Sequence, residues 1–167
     1  MMKKIIISMI ILFLYGCANY EFVYKKNRIL KQIDNQTAYS IGGDSKPHIL
    51  VYMSQRLGIN EVSPTYLLEI TSTKKEKIQA FNKDSTASKN EISYEIKYVL
   101  KELKSGCKIH ENTINSKNSY DSKSSGYSFN SDMAEADISN EVVEENINKF
   151  INYLNTNLND MVCKIEN

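Results

Sequence analysis

Between Glu91 and Lys101, the apolar residues Ile92, Tyr94, Ile96, Tyr98 and Leu100 alternate with Glu91, Ser93, Glu95, Lys97 and Lys101. Successive side chains of a strand point to opposite faces, so this segment buries one face and wets the other. A strand covered on both faces reads as a continuous apolar run. One-sided alternation belongs to antiparallel sheets with a single packed layer. This feature narrows the fold more than any other stretch of the chain.

The neighbouring segments fit such a sheet. Thr65 to Thr71 reads as a strand with Tyr66, Leu68 and Ile70 on one face. A lysine-rich stretch follows (Lys74, Lys75, Lys77) before Ile78, Ala80 and Phe81 resume the apolar pattern, and Asn82 to Asn90 reads as a polar turn. Lys104-Ser105-Gly106 turns the chain into a poorly alternating strand, Cys107 to Asn115, expected to carry a bulge or lie at an edge. Residues 115–130 read as a surface loop. Upstream, Arg28 to Ile33 is expected to be a short strand and Asp34 to Ser40 irregular.

Two helices are predicted. Gly42-Gly43-Asp44-Ser45-Lys46-Pro47 opens the first, with Asp44 or Ser45 as cap and Pro47 in the first turn, where a missing N–H costs nothing. Ile49, Leu50, Met53 and Leu57 follow at helical spacing, and Gly58 stands where a helix ends. No GK[ST] follows the paired glycines, so they are not a phosphate loop. The second helix is long. Ser131 can cap it, Asp132, Glu135 and Asp137 favour its positive end, and Val143, Ile147, Phe150, Ile151, Leu154, Leu158 and Met161 form its apolar stripe. Glu145, Asn148, Asn152 and Asn159 lie opposite. The expected architecture is an α+β two-layer sandwich: an antiparallel-rich sheet of about four strands, with one short helix and one long C-terminal helix packed on one face.

The N-terminus carries a separate signal. Lys3 and Lys4 precede an apolar run, Ile5 to Leu14, that is shorter than the roughly 20 residues a membrane span needs. Leu14-Tyr15-Gly16-Cys17 resembles the lipobox of bacterial lipoproteins. That resemblance implies removal of residues 1–16 and lipidation of Cys17, with fatty acyl chains such as palmitate holding the protein to a membrane. Ala18, where an aspartate would favour the inner membrane, leans toward outer-membrane sorting. Residues 17–26 are then a tether and 27–167 one domain. With Cys17 lipidated, Cys107 and Cys163 are left in an oxidising compartment. They form either a disulfide or two small buried apolar residues.

Chemistry-bearing patterns are sparse. Removing Lys3 and Lys4 from the 21 basic residues leaves 19 against 20 acidic ones, which gives no global field for nucleic acid. The 2 histidines, His48 and His110, lack partners at metal-ligand spacing, His110-Glu111 lacks the second histidine of a zinc-protease helix, and no G-x-S-x-G elbow occurs. Glu144-Glu145 reads as a solvated helical face. The chain is expected to be no enzyme and to need no cofactor or metal.

The order of elements resembles the lipopolysaccharide-assembly lipoprotein LptE, in the divergent form found in alphaproteobacteria. The resemblance runs from Arg56-Leu57-Gly58 through Tyr66-Leu67-Leu68-Glu69-Ile70 and the strand with Tyr98-Val99-Leu100. It continues through Ser119-Tyr120-Asp121, Tyr127, Met133-Ala134-Glu135-Ala136-Asp137 and Ile151-Asn152-Tyr153-Leu154. It implies an outer-membrane lipoprotein, on the periplasmic side, seated in the LptD barrel and assisting both barrel assembly and the passage of lipopolysaccharide to the surface. It also implies lipopolysaccharide binding through basic residues at the hairpin tip, here Lys83 and Lys89, and near the last helix, where Lys117 and Lys123 are the nearest substitutes. The alternative is a free-standing periplasmic lipid-binding or transporter-auxiliary lipoprotein without a barrel partner, which would need a concave apolar pocket.

Overall fold

The computed structural model describes residues 28–81, 83, 87–121 and 128–157. The expected leader, Cys17 and the expected tether, Lys123, Cys163, and the stripe residues Leu158 and Met161 lie outside them. The described chain runs α1 (Arg28–Ile33), β1 (Thr37–Gly43), α2 (Lys46–Leu57), β2 (Tyr66–Phe81), β3 (Ala87–Glu102), β4 (Lys108–Asp121) and α3 (Ser128–Asn157). The four strands form one sheet in the order β1-β2-β3-β4. β1 is parallel to β2 through the α2 crossover, and the other two pairings are antiparallel. The α+β sandwich expected from the sequence is the fold, with α1 as an additional short helix.

The alternation of β3 sorts its residues as expected. Ile92, Tyr94, Ile96, Tyr98 and Leu100 are buried, and Glu95 and Lys97 are exposed. Leu68 and Ile70 of β2 join them, as do Ile49, Met53 and Leu57 of α2 and Val142, Val143, Ile147, Phe150 and Leu154 of α3. The Tyr98 and Phe150 rings stack at 3.9 Å between centroids. All the buried side chains of β3 point the same way, so both long helices lie on one side and the other face of the sheet is wet.

Several local expectations are corrected. Arg28–Ile33 is a helical turn rather than a strand: Leu30 and Ile33, three apart, face the core together. The segment expected to be irregular instead begins β1, which runs on through Gly42-Gly43, expected to open the helix, because its partner β2 supplies its ladder. Cross-strand pairing also carries β2 through the lysine-rich stretch, starts β3 at Ala87 inside the expected turn, and takes β4 to Asp121. The expected loop 115–130 is therefore strand to Asp121 and helix from Ser128. α3 begins before Ser131, which is no cap. At α2, Ser45 occupies the cap position in a left-handed conformation and makes no capping bond. Gly58 ends α2 as expected, donating its N–H to Ser54 O at 2.9 Å. β4 has both expected features: it is an edge strand, and its register slips beside Leu100 and Lys101.

Candidate functional site

β1 stops at Gly43, while β2 and β3 run on as a hairpin beyond the first turn of α2. Gly43 (φ 86°) turns the chain so tightly that a Cβ there would meet Ser72 O at 1.9 Å. The turn aims Asp44 along the open side of β2. Its N–H donates to Ser72 O at 3.2 Å and its carboxylate accepts the Lys74 N–H at 2.7 Å. Asp44 therefore terminates an edge instead of capping a helix. Ser45 turns inward and shares a hydrogen bond with Tyr94 Oη at 2.6 Å, and Tyr94 Oη reaches Ser139 Oγ on α3 at 2.7 Å.

Above this chain of hydroxyls lies a cleft of about 290 Å³, lined by Ser45, His48, Lys74, Glu135, Ser139 and Asn140 among others. Its charge is internally balanced. The Lys74 ammonium lies 2.5 Å from Glu76 and 2.7 Å from Glu135. Burial alone would push its pKa down, but the hydrogen bonds to Glu135 and Glu76 outweigh that and hold it above the usual lysine range. The Lys74 hydrogen bond in turn holds the Glu135 carboxyl below its ordinary value. Burial pushes the Tyr120 hydroxyl up beside them. Lys74 bonds both Glu76 and Glu135, so this cluster acts as a clasp between β2 and the N-terminal third of α3. Sequence reasoning missed it because Lys74 and Glu135 are 61 positions apart.

The candidate ligand residues lie further out. Lys83 sits exposed in the hairpin turn and Lys89 exposed on β3, where it pairs in register with Ala80 and Asp121. The hairpin thus brings Lys83 and Lys89 to one end of the sandwich, beside the exposed Ile78 and Phe81. Lys117 is elsewhere, on the wet face, 3.1 Å from Glu91. Lys123 and Cys17 lie outside the described residues.

The remaining candidates are placed as follows. His48 is exposed on the first turn of α2, and His110 is buried with its ring 5.1 Å from that of Tyr153. Glu144 pairs with Arg56 at 3.5 Å and Glu145 with Lys149 at 2.7 Å. Cys107 is disulfide-bonded, and its partner lies outside the described residues. Among the described residues, no cluster of three or more His, Cys, Asp or Glu is placed to hold a metal ion.

No family model matches the chain, and no curated protein matches it in sequence. Solved structures do match in fold. A candidate lipoprotein from Caulobacter crescentus CB15 superposes with a TM-score of 0.58 at 18% identity, over 76% of this chain and 93% of that one. A minor lipoprotein from Acinetobacter baumannii gives 0.53 at 13% identity, over 75% and 95% of the two chains. The rare lipoprotein B from Shewanella oneidensis gives 0.51 at 9% identity, over 70% and 92%. At these identities the shared property is the fold.

Proposed function

We propose that this chain is an LptE-like lipoprotein, anchored through Cys17 to the periplasmic side of the outer membrane, that assists assembly of the LptD barrel and delivery of lipopolysaccharide to the outer leaflet. One observation carries the reading. A chain that carries the lipobox-like Leu14-Tyr15-Gly16-Cys17 folds as solved lipoproteins do, among them rare lipoprotein B, which is another name for LptE. The role asks for surfaces and no covalent chemistry. The wet face of the sheet, with Glu69–Lys101, Lys75–Glu95 and Lys97–Glu111 ion pairs, suits a water-filled barrel interior. Lys83 and Lys89, at the protruding end, suit the phosphates of lipopolysaccharide, with Lys123 as a third candidate.

The test is extraction of the tagged protein in mild detergent. The expected result is co-purification of an outer-membrane barrel in near-stoichiometric amount, with palmitate label on the wild type and none on Cys17→Ala. Lys83→Glu with Lys89→Glu should then weaken lipopolysaccharide binding while barrel binding persists. Recovery of the acylated protein without any barrel overturns the reading in favour of a free-standing lipoprotein.

A further inference from the structure

β4 has β3 on one side and, among the described residues, no strand on the other. Its backbone direction follows from Asn146, whose Nδ2 donates to Ile114 O at 2.8 Å and to Tyr94 O at 3.5 Å. Both carbonyls therefore lie in the gap between β3 and β4. Residues two apart in an antiparallel ladder share that direction. Asn112, Ile114, Ser116 and Asn118 thus bond toward β3, while Glu111, Thr113, Asn115, Lys117 and Ser119 turn their N–H and C=O groups outward. Such an edge is a template for strand addition.

We propose that this edge pairs with the same edge of a second copy, antiparallel about a two-fold axis at Ile114, joining two four-stranded sheets into one. The edge is charge-complementary to itself in that register. Glu111 faces Lys117 of the partner subunit, Lys117 faces Glu111 of the partner subunit, and Thr113 and Asn115 face each other across the axis. The charges on each edge are already anchored from within, Lys117 by Glu91 at 3.1 Å and Glu111 by Lys97 at 2.5 Å and Lys108 at 2.8 Å. Pairing links them into rows of alternating sign that cross the interface. Sliding by two residues, the smallest shift that keeps the outward groups matched, sets Lys117 against Ile109 or Glu111 against Ser119 and loses both pairs. On the helix side, Ile114, packed against the core's margin, meets its own copy at the axis. The same charges deter strands that do not match them, so the edge is selective. The interface is isologous and closes at two copies. This pairing goes beyond the proposed function and describes the chain before it meets a barrel partner, the state in which it is tested.

The test uses the purified full-length chain in mild detergent, without a barrel. Differently tagged Thr113→Cys and Asn115→Cys proteins are mixed under gentle oxidation. Hydrogen-bonded antiparallel neighbours lie about 5.5 Å apart at Cα, within disulfide reach. The expected product is a mixed 113–115 dimer, formed at least tenfold faster than the link between Thr113→Cys and Ser119→Cys, which the register separates by four residues. Light scattering should show a dimer for the wild type. Glu111→Lys, with its fold verified by circular dichroism, should weaken that dimer at least tenfold. A monomer at all concentrations, equal rates for the two cross-links, or an unchanged dimer in Glu111→Lys overturns the proposal.

Discussion

The buried pair Tyr98–Asn146 offers a quantitative test of how α3 is seated. Both residues are 0% exposed. Tyr98 Oη donates to Asn146 Oδ1 at 2.8 Å, and Asn146 Nδ2 donates to Ile114 O at 2.8 Å. Asn146→Leu keeps the branched shape but strands the Tyr98 hydroxyl, at a cost of about 1–3 kcal/mol for an unsatisfied buried group. The Ile114 carbonyl keeps its ladder bond, so its loss adds little. Tyr98→Phe strands Asn146 Oδ1 at a similar cost. The double variant removes donor and acceptor together and should approach an apolar replacement, which is nearly neutral. The cycle should therefore show a coupling of at least about 1 kcal/mol, within the range for residues in contact. Urea unfolding followed by far-UV circular dichroism, with unchanged m-values, measures it. Additivity of the single effects to within about 0.5 kcal/mol would refute this account of the helix seat.

Gly43→Ala should destabilise far beyond the roughly 1–2 kcal/mol of left-handed strain, because its Cβ would meet the Ser72 backbone oxygen at 1.9 Å. Gly58→Ala should cost less, since its Cβ meets Asn35 Oδ1 at 2.0 Å and that exposed side chain can swing away; denaturation midpoints rank the two. Hydrogen bonds from Lys108 and Lys97 lower the Glu111 pKa from 4.5 to about 2. Its stabilising contribution is present above about pH 4.5 and lost as pH falls toward 2, because the unfolded chain takes up the proton first. Glu111→Gln should flatten the stability–pH curve in that window, and superimposable curves would contradict the ion cluster. Cys107 should resist alkylation in the denatured, unreduced chain and label after reduction; labelling beforehand would disprove the bond.

Much of the sandwich was legible locally. The alternation of β3, the Ile49–Met53–Leu57 spacing of α2, Gly58 as its stop, and the stripe of α3 each announced an element and the face it buries. Asn146 was legible in principle: it is a polar residue on the face that holds Val143, Ile147 and Phe150. The hairpin position of Lys83 and Lys89 followed from the order of strands, whereas Lys117 near the last helix did not, because β4 carries it onto the wet face against Glu91.

What the sequence determined by itself is what a single segment can encode: period, facing, turn residues, and the leader pattern that ends at Cys17. Tertiary structure alone decided which segments pair. Thr37–Gly43 becomes a strand because β2 lies alongside it, and the lysine-rich end of β2 stays extended because β3 completes its ladder. Asp44 serves a β-edge N–H rather than a helix because Gly43 points it there. Lys74 meets Glu135 only after α3 folds back over the sheet. Side-chain periodicity is a local property, set by the geometry of one backbone. Hydrogen-bond partners and ion pairs join residues far apart in the chain, and their energies depend on burial and distance that exist only once the layers have packed.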